Sequence, residues 1–237
     1  MVSNRVLPPG PVAVLGAGTM GAGIAQACAT AGYSVRVRDV DDAALVRGRG
    51  IVEKTLAGAV ERKKMSSATR EEVLARLAFT TDVGEACRGV SLVVEAVFEE
   101  ERVKQALFSE VAALVGPSAI VATNTSSLSV SALGRGFPEP GRFAGLHFFY
   151  PAPINKLVEV VGGDLTSAAT RAELVRFSLR LGKLPIETAD RAGFCVNRFF
   201  VPYLNEACRL ADEGSRALPR SRRSAGRRSA RRSARSS

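Results

Sequence analysis

The stretch Val12–Asp39, which reads VAVLGAGTMGAGIAQACATAGYSVRVRD, decides the fold of this 237-residue chain. It opens with a β-branched run suited to a buried strand and continues with Gly16, Gly18 and Gly21 in G-x-G-x-x-G spacing. The alanine-rich run after them predicts a helix, and a second alternation of apolar residues ends in the aspartate. Strand, glycine turn, helix and strand together predict one β-α-β unit.

The glycines and Asp39 together indicate a dinucleotide site. In this motif one glycine permits a tight turn, one lets the backbone approach a pyrophosphate, and one lets the helix pack close to the strand. The helix N-terminus, which includes Thr19 and Met20, presents N–H groups and its positive dipole end to the phosphates. Asp39 is placed to accept hydrogen bonds from a ribose diol and would repel a 2′-phosphate, which favours NAD over NADP despite Arg36 and Arg38 beside it. The alternative is a scaffold of the same fold with an empty site.

The net charge of +10 is unevenly distributed along the chain. Nine arginines and no acidic residue lie from Arg216 onward, and the remainder has 24 basic against 23 acidic residues. Residues 215–237 are rich in Arg and Ser and cannot form a core, so we expect a disordered tail. Clustered arginine gives salt-dependent phosphate affinity, but the tail lacks interleaved aromatic residues and a folded reading element, which disfavours a nucleic-acid partner.

The cysteines and the apolar runs bear on the cellular compartment. Cys28, Cys87, Cys195 and Cys208 show neither paired nor metal-ligand spacing, which predicts reduced, buried thiols and no metal site. No apolar stretch approaches the roughly 18 residues that cross a bilayer. The N-terminal apolar run is interrupted by prolines before the glycine motif, unlike a signal peptide. The sequence therefore predicts a cytoplasmic protein with no membrane partner.

Strands and helices continue to alternate after Asp39, which predicts a doubly wound, mostly parallel α/β sheet of the Rossmann type over residues 1–189. Strands are expected at residues 79–81, 92–97, 143–149, 157–161 and 185–188, with another running from Ala119 into a polar turn. Helices are expected at residues 41–65, 66–77, 100–115 and 167–181. One long helix is expected from Gly193 to Gly214, so that residues 190–214 begin an all-α domain.

His147 is the only histidine in the chain, and it lies near the end of an apolar strand. A single strand histidine is often a hydrogen-bonded core residue. Glu159, in the next predicted strand, can hold one ring nitrogen and raise its basicity while the other faces substrate. Ser126 in the polar turn and Asn197 in the late helix can hydrogen-bond a substrate oxygen. A nicotinamide site beside a histidine–carboxylate pair is typical of alcohol oxidation.

Several motifs resemble the 3-hydroxyacyl-CoA dehydrogenase family, the NAD-dependent enzymes of fatty-acid β-oxidation and of 3-hydroxybutyryl-CoA metabolism. The matching runs are GAGTMGAGIAQ, VVEAVFE, ATNTSSLSV, RFAGLHFFYPAP, KLVEVV and GFCVNRFFVPYLNEA. The resemblance implies oxidation of 3-hydroxyacyl-CoA to 3-oxoacyl-CoA, or the reverse reduction. His147 is then the general base, Glu159 its partner, and Ser126 and Asn197 the groups that place the substrate oxygen.

The same resemblance implies ligand contacts. For NAD these are Gly16, Gly18, Thr19, Met20, Gly21, Asp39, Ala96, Glu99, Lys104, Ser126 and Tyr150. Contacts to the coenzyme A part of an acyl-CoA substrate fall at Thr55, Arg62 and Lys63, next to Lys64. From the residues alone, basic side chains at a helix end usually complement the helix dipole, and contact with a phosphorylated ligand is the alternative.

Two departures from the family pattern bear on function. Tyr150 stands where the family usually has asparagine, close to the nicotinamide and substrate. The family also continues through a larger helical domain that forms a homodimer, whereas here an Arg/Ser run follows the first helix, which we interpret as a truncated or frameshifted ending. The sequence therefore supports two hypotheses, an NAD-dependent dehydrogenase and a non-catalytic NAD-binding module.

Overall fold

The computed structural model describes residues 10–213, and the chain divides after Cys195 into two compact units. The strands of the first unit are β1 (Val12–Leu15), β2 (Val35–Arg38), β3 (Leu77–Thr80), β4 (Leu92–Glu95), β5 (Ile120–Thr123), β6 (Phe143–Phe148), β7 (Leu157–Gly162) and β8 (Leu184–Ala189). Its helices are α1 (Thr19–Thr30), α2 (Asp42–Glu61), α3 (Ser67–Ala75), α4 (Val83–Cys87), α5 (Glu101–Ala112), α6 (Val130–Gly134) and α7 (Ala168–Arg180), with a 3-10 turn at Pro140–Arg142. The second unit contains α8 (Val196–Asp212).

The strands form one sheet in the order β3-β2-β1-β4-β5-β6-β7-β8. Strands β1 to β6 are parallel, β7 is antiparallel to β6, and β8 is parallel to β7. Strands β2 and β3 follow one another on one side of β1, and β4 then pairs with β1 on its other side. This arrangement confirms the predicted doubly wound, mostly parallel Rossmann sheet, and ligands bind such sheets where the strand order reverses, at the carboxyl ends of β1 and β4.

Apolar residues cover both faces of the sheet. One cluster contains Val14, Ile24, Leu56 and Phe177 and lies under α1, α2, α3 and α7. The other includes Leu15, Phe108 and residues of α4, α5 and α6. Strands β1, β4 and β5 are buried at every position, as expected for parallel strands covered on both sides.

Several elements differ from the sequence-based expectations. Strand β3 begins at Leu77 rather than Phe79. The short helix α4 was not predicted, and it is capped by Asp82, whose side chain accepts a hydrogen bond from the Glu85 N–H. Helix α8 begins at Val196 rather than Gly193, because Gly193 and Phe194 have φ values of 76° and 49° that a right-handed helix cannot include.

Two expectations concern parts of the chain beyond this sheet. The predicted tail at residues 215–237 lies outside the described residues. Among the helices within residues 10–213, none is long and apolar enough to span a membrane.

The prediction of four buried thiols was wrong for two of them. Cys28 and Cys87 are buried, whereas Cys195 and Cys208 are exposed. Cys208 belongs to α8, which buries none of its residues. Burial raises the pKa of Cys28 to about 12 and that of Cys87 to about 11.

We expect an aromatic disulfide reagent to titrate two of the four thiols in the folded chain near pH 8 and all four after denaturation. The thiolate is the attacking species, and the two buried thiols are both inaccessible and protonated. Substituting Cys195→Ser together with Cys208→Ser should leave no fast-reacting thiol. Rapid reaction of a third thiol in the native chain would contradict the described packing.

Candidate functional site

The turn between β1 and α1 has the shape of a phosphate cradle. Gly16 has a φ of +105°, and a Cβ there would lie 2.4 Å from the Ala96 carbonyl oxygen. A Cβ on Gly21 would lie 1.8 Å from the Gly16 carbonyl oxygen, whereas one on Gly18 would meet nothing within 4 Å. The first and third glycines therefore permit close backbone packing, and the second faces open space that a pyrophosphate can fill.

No side chain caps α1, whose N-cap residue is Gly18. Its first N–H groups and the positive end of its dipole are therefore presented to a ligand at this turn. Asp39 lies beside the turn, where one carboxylate oxygen accepts a 2.6 Å hydrogen bond from the Ala17 N–H and the other a 2.7 Å bond from the Val40 N–H. Each oxygen retains a lone pair for a ribose hydroxyl, so these residues fit an NAD molecule.

A cleft of about 670 Å³ opens from this turn between the ends of β1, β2 and β4. Six of the predicted cofactor contacts line it, namely Gly16, Gly18, Thr19, Met20, Asp39 and Ala96. Arg38, Val40, Phe98 and Val103 also line it and were not predicted. Arg38, Val40 and Phe98 lie at or just after the carboxyl ends of β2 and β4, which flank the switch point, so the strand order would have indicated them. Gly21 does not line the cleft and instead packs against the turn.

Lys104 is 1% exposed and lies between two carboxylates rather than in this cleft. Its ammonium group is 2.5 Å from Glu95 Oε1 and 3.1 Å from Glu99 Oε2. The completely buried Glu95 also accepts hydrogen bonds from the Val97 N–H at 2.7 Å and the Thr123 hydroxyl at 2.7 Å. In this geometry Lys104 reaches the cofactor side of the sheet only through Glu99.

The second oxygen of Glu99 organises the polar turn after β5. Glu99 Oε1 accepts hydrogen bonds from the Thr125 hydroxyl at 2.5 Å, the Ser126 N–H at 2.9 Å and the Ser127 hydroxyl at 3.2 Å. Burial favours a raised pKa for Glu99, but the Thr125 and Ser126 hydrogen bonds and the Lys104 ammonium lower the pKa below its ordinary value. The resulting carboxylate fixes the backbone of Ser126, a partly buried residue.

His147 and Glu159 are paired residues on the antiparallel strands β6 and β7. Their side chains meet, with 2.7 Å between His147 Nδ1 and Glu159 Oε2. Glu159 is completely buried, and its other oxygen accepts a 3.0 Å hydrogen bond from the Cys195 N–H. The imidazole ring packs 4.4 Å from the Phe149 ring and 5.8 Å from the Phe194 ring, centre to centre. Glu159 thus orients the ring and leaves Nε2 for a reacting group.

Tyr150 and Asn197, two further predicted site residues, lie outside these hydrogen-bond networks as far as the structure describes them. Tyr150 follows β6, beside the His147 segment, and its side chain is 69% exposed. Asn197 lies in the first turn of α8, in the second unit. The structure thus brings Ser126, Glu99 and Lys104 into one network and His147 and Glu159 into another.

The predicted coenzyme A contacts divide between two environments. Thr55 and Arg62 line a separate cleft of about 810 Å³, together with Lys64. Lys63 does not line this cleft, and its φ of 55° marks the sharp turn that follows α2. Lys64, the next residue in the chain, lines the cleft.

These features match one protein family. The family model for the NAD-binding domain of 3-hydroxyacyl-CoA dehydrogenase matches residues 11–191. The chain belongs to the 3-hydroxyacyl-CoA dehydrogenase family. NAD is therefore its cofactor, in agreement with the glycine cradle and Asp39.

Relatives in the family act on several acyl-CoA substrates. The chain is 43% identical over 202 residues to 3-hydroxyadipyl-CoA dehydrogenase of Escherichia coli, covering 85% of this chain and 42% of that protein. It is 41% identical over 201 residues to a probable 3-hydroxybutyryl-CoA dehydrogenase of Deinococcus radiodurans, covering 85% and 72% of the two chains. The crystal structure of (S)-3-hydroxybutyryl-CoA dehydrogenase from Ralstonia eutropha superimposes with a TM-score of 0.84 at 37% identity, over 87% of this chain and 73% of that one.

We expect the chain to bind NADH more tightly than NADPH, because the Asp39 carboxylate repels a 2′-phosphate. Asp39→Ala should weaken NADH binding roughly 10- to 100-fold, the range for losing hydrogen bonds to a charged group, and should narrow the difference between the two cofactors. NADH and NADPH fluorescence titrations measure both constants. Asp42→Ala, an exposed acidic residue at the start of α2, is the matched control, and equal affinities in the unaltered chain would refute this role of Asp39.

Lys104→Ala should lower the free energy of unfolding by about 3–5 kcal/mol, because it leaves the Glu95 carboxylate buried without its cation. Chemical denaturation measures the change. Lys54 is exposed on α2, so Lys54→Ala should change stability by no more than about 0.5 kcal/mol. A loss below about 1 kcal/mol in Lys104→Ala would show that the buried pair is dispensable.

Proposed function

We propose that this chain carries the NAD-dependent interconversion of 3-hydroxyacyl-CoA and 3-oxoacyl-CoA, with His147 as the general base. The observation that carries the proposal is the 2.7 Å contact between His147 Nδ1 and a completely buried Glu159. Parallel strands β1, β4, β5 and β6 end at one edge of the sheet, so this pair and the cofactor cleft share that edge. A base beside a nicotinamide site is the arrangement that oxidation of a secondary alcohol requires.

In the oxidation direction, His147 Nε2 takes the proton of the substrate's 3-hydroxyl group. Glu159 holds the ring in the tautomer that accepts at Nε2, and its charge stabilises the imidazolium that forms. NAD bound in the cleft supplies the acceptor for the hydride that leaves C3. In the reverse direction His147 returns the proton to the carbonyl oxygen as the alcohol forms.

Ser126 is proposed to hydrogen-bond the substrate oxygen from the turn after β5. Glu99 supports this role because its carboxylate accepts bonds from the two neighbouring hydroxyls and from the Ser126 N–H. Those bonds limit the conformations of the turn and leave the Ser126 hydroxyl for a ligand. Asn197 is proposed as a second contact to the same oxygen, on the basis of the family resemblance alone.

The coenzyme A part of the substrate is proposed to occupy the basic cleft lined by Thr55, Arg62 and Lys64. Arginine and lysine suit phosphate recognition, and the proposal is supported by the relatives, whose names specify acyl-CoA substrates. Tyr150 adds a phenol next to the His147 segment, where it would contact the acyl end of the substrate.

The test is oxidation of NADH by purified chain in the presence of acetoacetyl-CoA. If the unaltered chain turns over, His147→Gln should lower kcat by about two to four orders of magnitude, the usual contribution of a positioned acid–base group. NADH affinity should change little because His147 does not line the cofactor cleft. Glu159→Gln should also lower kcat.

Two results would overturn parts of this proposal. Full activity in His147→Gln would place the base elsewhere. Retained NADH binding without any turnover of acetoacetyl-CoA by the unaltered chain would instead favour the non-catalytic NAD-binding module.

A further inference from the structure

Residues 190–195, which follow β8, form a short segment of the first unit that lies against the His147–Glu159 pair. Two contacts join the segment to the pair. The Cys195 N–H donates to Glu159 Oε1 at 3.0 Å, and the Phe194 ring packs 5.8 Å from the imidazole, centre to centre. Cys195 is 36 residues beyond Glu159 in the chain, so the pairing of β6 with β7 does not by itself create either contact.

The backbone of this segment has a conformation that an aromatic residue rarely adopts. Phe194 has a φ of 49° and follows Gly193, which has a φ of 76°. The left-handed region is costly for a residue with a Cβ, and it persists only where the surrounding structure enforces it. The Phe194 N–H donates to the Arg191 carbonyl at 2.7 Å, and its side chain is buried. The segment therefore depends on contacts with neighbouring elements to keep this shape.

Asp190 makes such contacts at the start of the segment. Its Oδ2 accepts hydrogen bonds from the Ser129 hydroxyl at 2.7 Å and the Ser131 N–H at 2.8 Å, and its Oδ1 accepts from the Val130 N–H at 3.1 Å. Burial favours a raised pKa for Asp190, but these hydrogen bonds lower the pKa below its ordinary value. The side chain is therefore a carboxylate at neutral pH and accepts at both oxygens.

These bonds do more than cap helix α6. Ser129 is the N-cap residue of α6, and its hydroxyl oxygen already accepts from the Ala132 N–H at 3.1 Å. Asp190 is 61 residues beyond Ser129, so its bonds join the end of β8 to the start of α6. The chain leaves β8 at this anchor and reaches Glu159 through Cys195 only a few residues later. The anchor thus limits where the Cys195 N–H and the ring before it can lie.

We propose that Asp190 is a positioning residue for the His147–Glu159 pair, an inference that rests on the proposed function for its part in the reaction. Asp190 acts through the segment that it anchors. The Cys195 N–H holds Glu159 Oε1 and keeps Oε2 directed at His147 Nδ1, while the Phe194 ring limits rotation of the imidazole. The ring proton is thereby kept on Nδ1, and Nε2 is left to accept the proton of the substrate.

The first experiment needs no turnover. His147 is the only histidine, so a chain labelled with 15N-histidine and produced without a histidine tag gives ring signals from one residue. At alkaline pH, where the ring is neutral, the two 15N shifts report which nitrogen carries the proton. Asp190→Ala should lower the ratio of the Nδ1–H to the Nε2–H tautomer roughly two- to tenfold, the change for weakening a hydrogen bond of ordinary net strength. Asp190→Asn keeps one acceptor oxygen and should give a smaller change.

Asp82 provides the matched control. It is an exposed carboxylate that caps α4, a five-residue helix like α6, by accepting from the Glu85 N–H. It follows β3, at the opposite edge of the sheet from β8. Asp82→Ala should therefore leave the tautomer ratio of His147 unchanged. Circular dichroism of each variant establishes that the fold is intact, and Asp190→Asn carries the test if Asp190→Ala does not fold.

The second experiment measures oxidation of NADH in the presence of acetoacetyl-CoA. Asp190→Ala should lower kcat about ten- to a hundredfold, since misplacing a reacting group by about 1 Å can have an effect of that size. KM for NADH should change little because Asp190 does not line the cofactor cleft. In a chain that already carries Glu159→Gln, Asp190→Ala should lower kcat much less, because both changes act on one pair and their effects are not additive.

An unchanged tautomer ratio in both Asp190 variants would overturn the inference, and so would full additivity of Asp190→Ala with Glu159→Gln. Either result is compatible with a loss of activity in His147→Gln, which would leave the dehydrogenase proposal intact. If the tautomer ratio falls as expected but the unaltered chain never oxidises NADH, the positioning of the imidazole by Asp190 stands and the dehydrogenase proposal fails.

Discussion

The burial of the Lys104 ammonium between two carboxylates at the end of β4 is the constraint on which the candidate site depends. An isolated ion at this depth would cost several kcal/mol, and only close pairing and additional hydrogen bonds offset that cost. Glu95 therefore takes bonds from Lys104, Val97 and Thr123 at once, which ties β4, β5 and α5 together. Removing either Lys104 or Glu95 would leave the other ion buried without this partner.

The same network links two functions that lie on different strands. Glu99 joins Lys104 on one side and the Ser126 turn on the other. The position of the proposed substrate contact is thus set by the ion pair at the edge of the cofactor cleft.

Sequence reasoning identified the glycine turn and NAD as the cofactor because the signals for both are local. The three glycines and Asp39 lie within one β-α-β unit, and their spacing is sufficient to reveal the turn between β1 and α1. The pairing of His147 with Glu159 was also predictable, since two neighbouring strands place residues twelve apart opposite one another. The burial of Lys104 and the exposure of Cys195 were not predictable. Each depends on which distant segments meet, and hydrophobic periodicity does not specify that.

The antiparallel pairing of β6 and β7 has a consequence for how the site assembles. Every other neighbouring pair in the sheet is parallel and needs a crossover through a helix or a longer excursion, whereas β6 and β7 are joined by one short connection. Contacts between residues close in sequence incur less loop-closure entropy and form faster than distant ones. The proposed base and its partner therefore belong to the strand pair with the smallest sequence separation in the sheet, so the contact between them incurs the smallest loop-closure cost.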